Sequence, residues 1–232
     1  MTARSSATDR LRGRVVGVIA SRADLNRAVR MHRPPDLFEV RLDCLVRIVD
    51  QLENKLQKLR APLIITARHP REGGANKLSL RQRRNLLTRF LPHARYLDVE
   101  LRSAFALDSF LRLAEQKNVL RIISFHTFKW TPPPRILLAK ARAAEAHGAN
   151  IFKVATRTDT PVQLARLLSF IENKNVDLPV SSMGIGKLGA ISRVLLARAG
   201  SALVYASLAA GSDVEGQLSL EQLRALGIAS RR

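Results

Sequence analysis

A single (β/α)8 barrel, the TIM-barrel class, is the fold this sequence predicts, and three observations predict it. Short apolar runs alternate with amphipathic stretches in eight successive units, with no linker or low-complexity block between them. The 232 residues fit eight such units, because barrels of this class usually hold about 250 residues. Ionisable and polar residues recur at the C-terminal ends of the apolar runs, the end at which such barrels carry their chemistry. A doubly wound open sheet is the competing arrangement. It would need a glycine-rich first turn for its ligand, and "VIASRADL" supplies none.

The first run, "RVVGVIAS" (14–21), opens the barrel, and the preceding residues 1–13 read as a basic flexible leader to a catalytic domain spanning 14–232. The leader holds arginines but no apolar segment, so it is not a secretory signal. An N-terminal hairpin in front of the barrel is expected to be absent. In the second run, "DLFEVRLD" (36–43), side-chain alternation puts Glu39, Arg41 and Asp43 on one face and Phe38, Val40 and Leu42 on the other. The apolar set should meet the helices and the charged set the barrel interior. The third, "PLIITAR" (62–68), ends at Arg68 and runs into "HPREGG", which carries Glu72. The fourth, "RYLDVEL" (95–101), aims Asp98 and Glu100 the same way, and the fifth, "LRIISFH" (120–126), aims Ser124 and His126. The sixth, "NIFKVAT" (150–156), sets Lys153 on one face with Ile151 and Ala155. The seventh, "DLPVSSM" (177–183), ends at Met183, and "SALVYAS" (201–207) closes the set. Between the runs, stretches such as "VRIVDQLENKLQKLR" and "ISRVLLARAG" repeat Leu and Val at spacings of three and four, one buried helical face each.

Composition narrows the function. A formal charge of +20 and a pI near 11.5 invite a nucleic-acid reading. The basic residues are spread from Arg4 to Arg232 with only short clusters such as "RQRR" (81–84), and aromatics make up 5%. No stacking platform is interleaved with them. Nucleic acid is therefore not the expected partner, and the charge suits the steering of an anionic small molecule. The single cysteine, Cys44, excludes an intrachain disulfide and fits the cytoplasm. The five histidines show no zinc-like spacing, so no metal site is expected. No apolar run approaches the ~18 residues of a membrane span.

Lys153 is the residue that needs explaining, since an unpaired charge inside a barrel is costly. Set among Arg41, Arg68 and an apolar wall, its ammonium form is expected to be disfavoured. A neutral amine is a nucleophile toward carbonyls and forms an imine. A protonated imine acidifies the neighbouring C–H, and His126 stands ready as base. The arginines suggest that the carbonyl substrate also carries a carboxylate.

In this setting the chain closely resembles the type I 3-dehydroquinate dehydratases. The resemblance runs from about Val15 to Leu226 and rests on "EVRLD" (39–43), "TARHPREGG" (66–74), "LDVEL" (97–101), "SFHTF" (124–128), "FKVAT" (152–156), "SMGIGKLGAISR" (182–193) and "EGQ" (215–217). Any one of these is weak, but their order on eight units is specific. The resemblance implies dehydration of 3-dehydroquinate to 3-dehydroshikimate by syn elimination, the third step of the shikimate pathway. It implies that Lys153 forms the imine, that His126 moves the proton and that Glu72 orients His126. Glu39, Arg41 and Arg68 would line the substrate's ring and hydroxyls, Arg193 would clamp its carboxylate, and Met183, Ser212 and Gln217 would complete the pocket. No cofactor is implied, and a homodimer is.

Two departures stand out. Ile185 replaces a second methionine, and the last loop reads "GSDVEGQ", with Glu215 in place of proline and Ser212 one position farther from Gln217. Asp213 could then take the serine's place, an uneasy neighbour for an anionic substrate. Two other functions fit parts of the pattern. Barrel aldolases and transaldolase-like enzymes share the inward lysine, and "GIGKLG" (184–189) superficially offers a phosphate loop. A non-catalytic RNA-associated barrel would account for the charge.

Overall fold

The computed structural model describes residues 13–173, 175–211 and 214–228. Ser212 and Asp213, and the expectations for the leader and an N-terminal hairpin, lie outside the described residues. Eight parallel strands follow one another around a barrel: β1 (Arg14–Ile19), β2 (Leu37–Arg41), β3 (Leu63–Thr66), β4 (Tyr96–Glu100), β5 (Leu120–Thr127), β6 (Ile151–Arg157), β7 (Val180–Ile185) and β8 (Leu203–Ser207). Helices α1 (Arg22–Arg30), α2 (Val49–Leu56) and α3 (Leu80–Phe90) connect the first four strands. Two pieces, α4 (Leu101–Ala104) and α5 (Asp108–Gln116), lead to β5. Then come α6 (Pro134–Ala146), α7 (Pro161–Glu172), α8 (Gly189–Arg198) and α9 (Leu220–Ala225). Among the described residues no helix is long and apolar enough to cross a membrane.

From β1 to β7 each strand pairs in parallel with the next, and β1 also pairs with β8, Val16 opposite Tyr205. Between β7 and β8 serines replace a regular ladder. Ser182 N–H donates to Ser201 Oγ at 3.0 Å and Ser181 Oγ–H to Leu203 O at 3.0 Å, while Ala202 N–H reaches Val180 O at 2.8 Å. Small hydroxyl side chains thus satisfy backbone groups at the seam where regular pairing stops. The seventh run pairs from Val180 rather than from residue 177, because Pro179 has no N–H to give a ladder. It continues past Met183 to Ile185, which lies opposite Arg157.

Side-chain alternation sorts the strand residues as the sequence predicts. Phe38, Val40 and Leu42 join the outer core against the helices. Val16, Leu37, Ile64, Tyr96, Ile122, Ile151 and Leu203 form an apolar floor inside the barrel. One inward step beyond these floor residues, two positions on, lie Glu39, Thr66, Asp98, Ser124, Lys153 and Tyr205. A dry floor therefore underlies a polar layer near the C-terminal ends of the strands. Capping boxes at Ser79–Gln82, Thr160–Gln163 and Ser219–Gln222 fix where α3, α7 and α9 begin.

Candidate active site

Four buried side chains from alternate strands meet in one layer: Glu39 of β2, Asp98 of β4, Lys153 of β6 and Tyr205 of β8. Lys153 Nζ donates to Asp98 Oδ2 at 2.9 Å and to Glu39 Oε1 at 3.2 Å, and it lies 4.0 Å from the centre of the Tyr205 ring. This corrects the expectation that arginines and an apolar wall surround the lysine. Its immediate partners are two carboxylates, and Arg68 shares them: Arg68 Nη2 is 3.2 Å from both Glu39 and Asp98. Burial acts to raise the Asp98 carboxyl, but Lys153, Arg68 and the Ser124 hydroxyl, 2.6 Å away, outweigh it and hold the group below the usual carboxylate range.

The base candidate stands on the neighbouring strand, where Ser124 pairs with Lys153 and His126 with Ala155. Glu72 comes from the loop after β3, in the short helical turn Pro70–Glu72. Its Oε2 accepts the His126 backbone N–H at 2.8 Å and lies 3.0 Å from His126 Nδ1. Arg68 Nη1, which can only donate, contacts His126 Nε2. The same Nη1 lies 3.0 Å from Nδ1; when Glu72 is ionised it takes the hydrogen bond of an Nδ1 proton and leaves Nε2 to accept. Burial, then Arg68, Lys153 and Arg41, push the imidazole well below its ordinary 6.5. Burial and the nearby Glu100 push Glu72 up to about 7, despite the bond from His126 and the Arg102 guanidinium at 3.1 Å. A neutral imidazole thus faces an acid that titrates near neutrality.

The loop holding Glu72 has a tight backbone requirement. Gly73 has φ 83°, and a Cβ on Gly74 would lie 2.2 Å from the Arg68 carbonyl oxygen. Only glycine allows the chain to fold back there. Asp43 secures the same loop, accepting the Arg68 and Ala75 backbone N–H groups at 3.1 and 2.9 Å. Arg41 forks onto Asp43 at 3.0 and 2.8 Å and donates to Gly73 O at 3.0 Å.

On the opposite wall, Met183 is buried in the inner cluster. Arg193 of α8 is also buried, and its Nη1 donates to the carbonyls of Gly184, Gly189 and Gly216 at 2.8, 3.0 and 2.7 Å. No carboxylate pairs with it among the described residues, and burial alone draws it down to about 10. A buried cation held only by carbonyl dipoles lacks a counter-charge, which suits a bound anion. Gln217 is partly buried in the last loop, with its N–H on Val214 O at 3.0 Å. Glu215 does not stand free: its Oε2 pairs with Arg157 Nη1 at 2.9 Å, and its carbonyl receives Gly186 N–H at 3.1 Å.

Two residues of this network escape a reading for strand-end chemistry. Arg83, inside the "RQRR" cluster, is fully buried, contacts Glu100, and donates to Ala67 O at 2.7 Å and Ser103 Oγ at 3.1 Å. Its spacing of four from Leu87 and seven from Phe90 marks it as inward-facing. Tyr205 shares its strand face with Leu203 and Ser207, so strand parity finds it too.

Fold and site together define a (β/α)8-barrel enzyme with an inward lysine in its strand-end layer and an imidazole–carboxyl pair beside it. The family model for Type I 3-dehydroquinase matches residues 15–228, and the chain belongs to that family. It is 33% identical over 195 residues to a 3-dehydroquinate dehydratase of Pyrococcus abyssi, covering 82% of this chain and 86% of that one. Among solved structures, a 3-dehydroquinate dehydratase of Geobacillus kaustophilus superposes with TM-score 0.81 at 27% identity, covering 92% of this chain and 89% of that one. A type I 3-dehydroquinate dehydratase of Clostridium difficile, solved with covalently modified comenic acid, gives TM-score 0.82 at 24% identity over 93% and 91% of the chains.

Proposed function

We propose that this chain dehydrates 3-dehydroquinate to 3-dehydroshikimate through an imine on Lys153, as the third step of the shikimate pathway. The observation that carries the reading is the pairing of Lys153 with Asp98 and Glu39 at 2.9 and 3.2 Å, one strand from an imidazole kept neutral. The carboxylates hold the amine in place, and two of the ammonium's protons end on the ketone oxygen. The amine adds to the ketone carbon, the ketone oxygen leaves as water, and a protonated imine remains. That cation withdraws electrons from the adjacent C2–H bond, and His126 Nε2 removes the proton. Arg68 must yield this lone pair as substrate enters. The proton on His126 then goes to the departing hydroxyl, which leaves as water on the same face, and hydrolysis of the imine restores Lys153. Glu72 accepts the Nδ1 proton's hydrogen bond and steadies the imidazolium while it exists.

Arg193 receives the substrate carboxylate, the missing counter-charge of a buried guanidinium. Arg41, Arg68 and Glu39 meet the ring hydroxyls, while Met183 and Gln217 border the ring. The reaction as proposed uses side chains alone. The enzyme acts in the cytoplasm as a homodimer, and the exposed Ile191 and Leu195, one turn apart on α8, support a contact with a second copy. The test is turnover: 3-dehydroquinate should give the ultraviolet absorbance of the enone product, and phosphorylated sugars should give nothing. Cleavage of a phosphorylated sugar with no enone from 3-dehydroquinate would replace this reading with an aldolase.

A further inference from the structure

We propose that the ring face of Tyr205 is a catalytic cation-binding surface that stabilises the protonated imine; this rests on the imine reading of Lys153. Lys153 Nζ is held from several directions: Asp98 at 2.9 Å, Glu39 at 3.2 Å, and the Tyr205 ring centre at 4.0 Å. That distance is well inside the range of cation–π attraction. Tyr205 is buried, so little water screens the contact. The Tyr205 hydroxyl is also buried and meets no hydrogen-bond partner among the described residues. Burial, with the Glu39 and Asp98 carboxylates, raises the phenol well above its ordinary range and keeps it neutral. A tyrosine placed for its hydroxyl would have that hydroxyl partnered. This one is placed for its face.

The chemistry gives the face a task that the carboxylates cannot perform alone. Imine formation converts an ammonium and a ketone into a protonated imine and water, so one positive charge stays on nitrogen throughout. The number of N–H bonds, however, falls from three to one. Asp98 and Glu39 both receive hydrogen bonds from the ammonium, but a single N–H cannot serve both equally. Attraction to a π face needs no N–H and favours a planar, delocalised cation at least as well as an ammonium. Tyr205 therefore gains weight as the adduct forms and biases the equilibrium toward the imine.

The test keeps the shape of the side chain and varies only its electron density. Tyr205→Phe is the starting point, followed by 4-fluoro-, 3,5-difluoro- and 3,4,5-trifluorophenylalanine at position 205 of the full chain. For each protein, borohydride reduction after mixing with 3-dehydroquinate measures the substrate concentration that gives half-maximal adduct on Lys153. That concentration should rise stepwise with fluorination, by about tenfold or more across the series. Tyr205→Leu, which removes the face, should raise it by about thirtyfold. An adduct whose half-saturation is flat across the fluorinated series would overturn the role of the ring. So would a loss already complete at Tyr205→Phe, which would assign the effect to the hydroxyl. Absence of any adduct in the unsubstituted protein would overturn the imine reading itself, a different result from a flat series.

Discussion

At Glu72 the cost of catalysis can be separated from its benefit. The carboxyl titrates near 7 in the fold against an ordinary 4.5. Between these values the unfolded chain ionises while the folded one keeps its proton, so this group removes stability as pH rises through that window. Above it the full penalty applies, about 3 kcal/mol at most. His126 works in the opposite direction: its lowered value means that stability is lost as pH falls below 6.5. Glu72→Gln, which mimics the neutral acid, should therefore be more stable than the parent by about 1–3 kcal/mol at pH 8 and nearly equal to it at pH 4.5. Urea unfolding at the two pH values measures this, and an equal difference at both would contradict the assignment. In the parent, kcat/KM should rise with pH through about 7, as Glu72 gains the charge that holds the Nδ1 proton. The sequence shows that Glu72 belongs to a strand-end loop, but not that it is buried beside Glu100. Its shift depends on how β3 and β4 pack, which no local pattern records.

At the level of elements, period-two alternation made the barrel legible. Phe38 and Val40 outside, Glu39 and Arg41 inside, follow directly from the strand pleat. Lys153 was harder to read because layers are shared by alternate strands, so its partners come from β2, β4 and β8 rather than from β5 and β7. Sequence order gives neighbours in the ladder, not neighbours in a layer. Arg83 was hidden for another reason, since a basic residue in a basic cluster on a helix is normally solvated. Here it ties α3 to the strand ends through Glu100, Ser103 and Ala67 O. Arg83→Met should lower the unfolding free energy by about 3–5 kcal/mol, because Glu100 keeps its burial and loses a partner. Arg83→Lys should recover only part of this, having one nitrogen for three acceptors. Urea unfolding that places the Met variant within 1 kcal/mol of the parent, roughly the value of an exposed pair, would show that Arg83 is dispensable.

At the scale of the whole molecule, the charges of the strand-end network balance one another. Glu39, Asp98 and Glu100 interlock with Arg68, Arg83 and Lys153, so the formal +20 of the chain is carried outside this network. Within this network Lys153 is held by adjacent carboxylates, while Arg193, with no carboxylate beside it among the described residues, stays a cation ready for a substrate carboxylate. A basic exterior draws an anionic substrate toward that interior. The imine on Lys153 is the central claim. Incubation with 3-dehydroquinate, borohydride reduction, digestion and mass spectrometry should place the adduct on Lys153, and Lys153→Ala should lose both adduct and turnover. An adduct on another residue, or turnover that survives in Lys153→Ala, would contradict it.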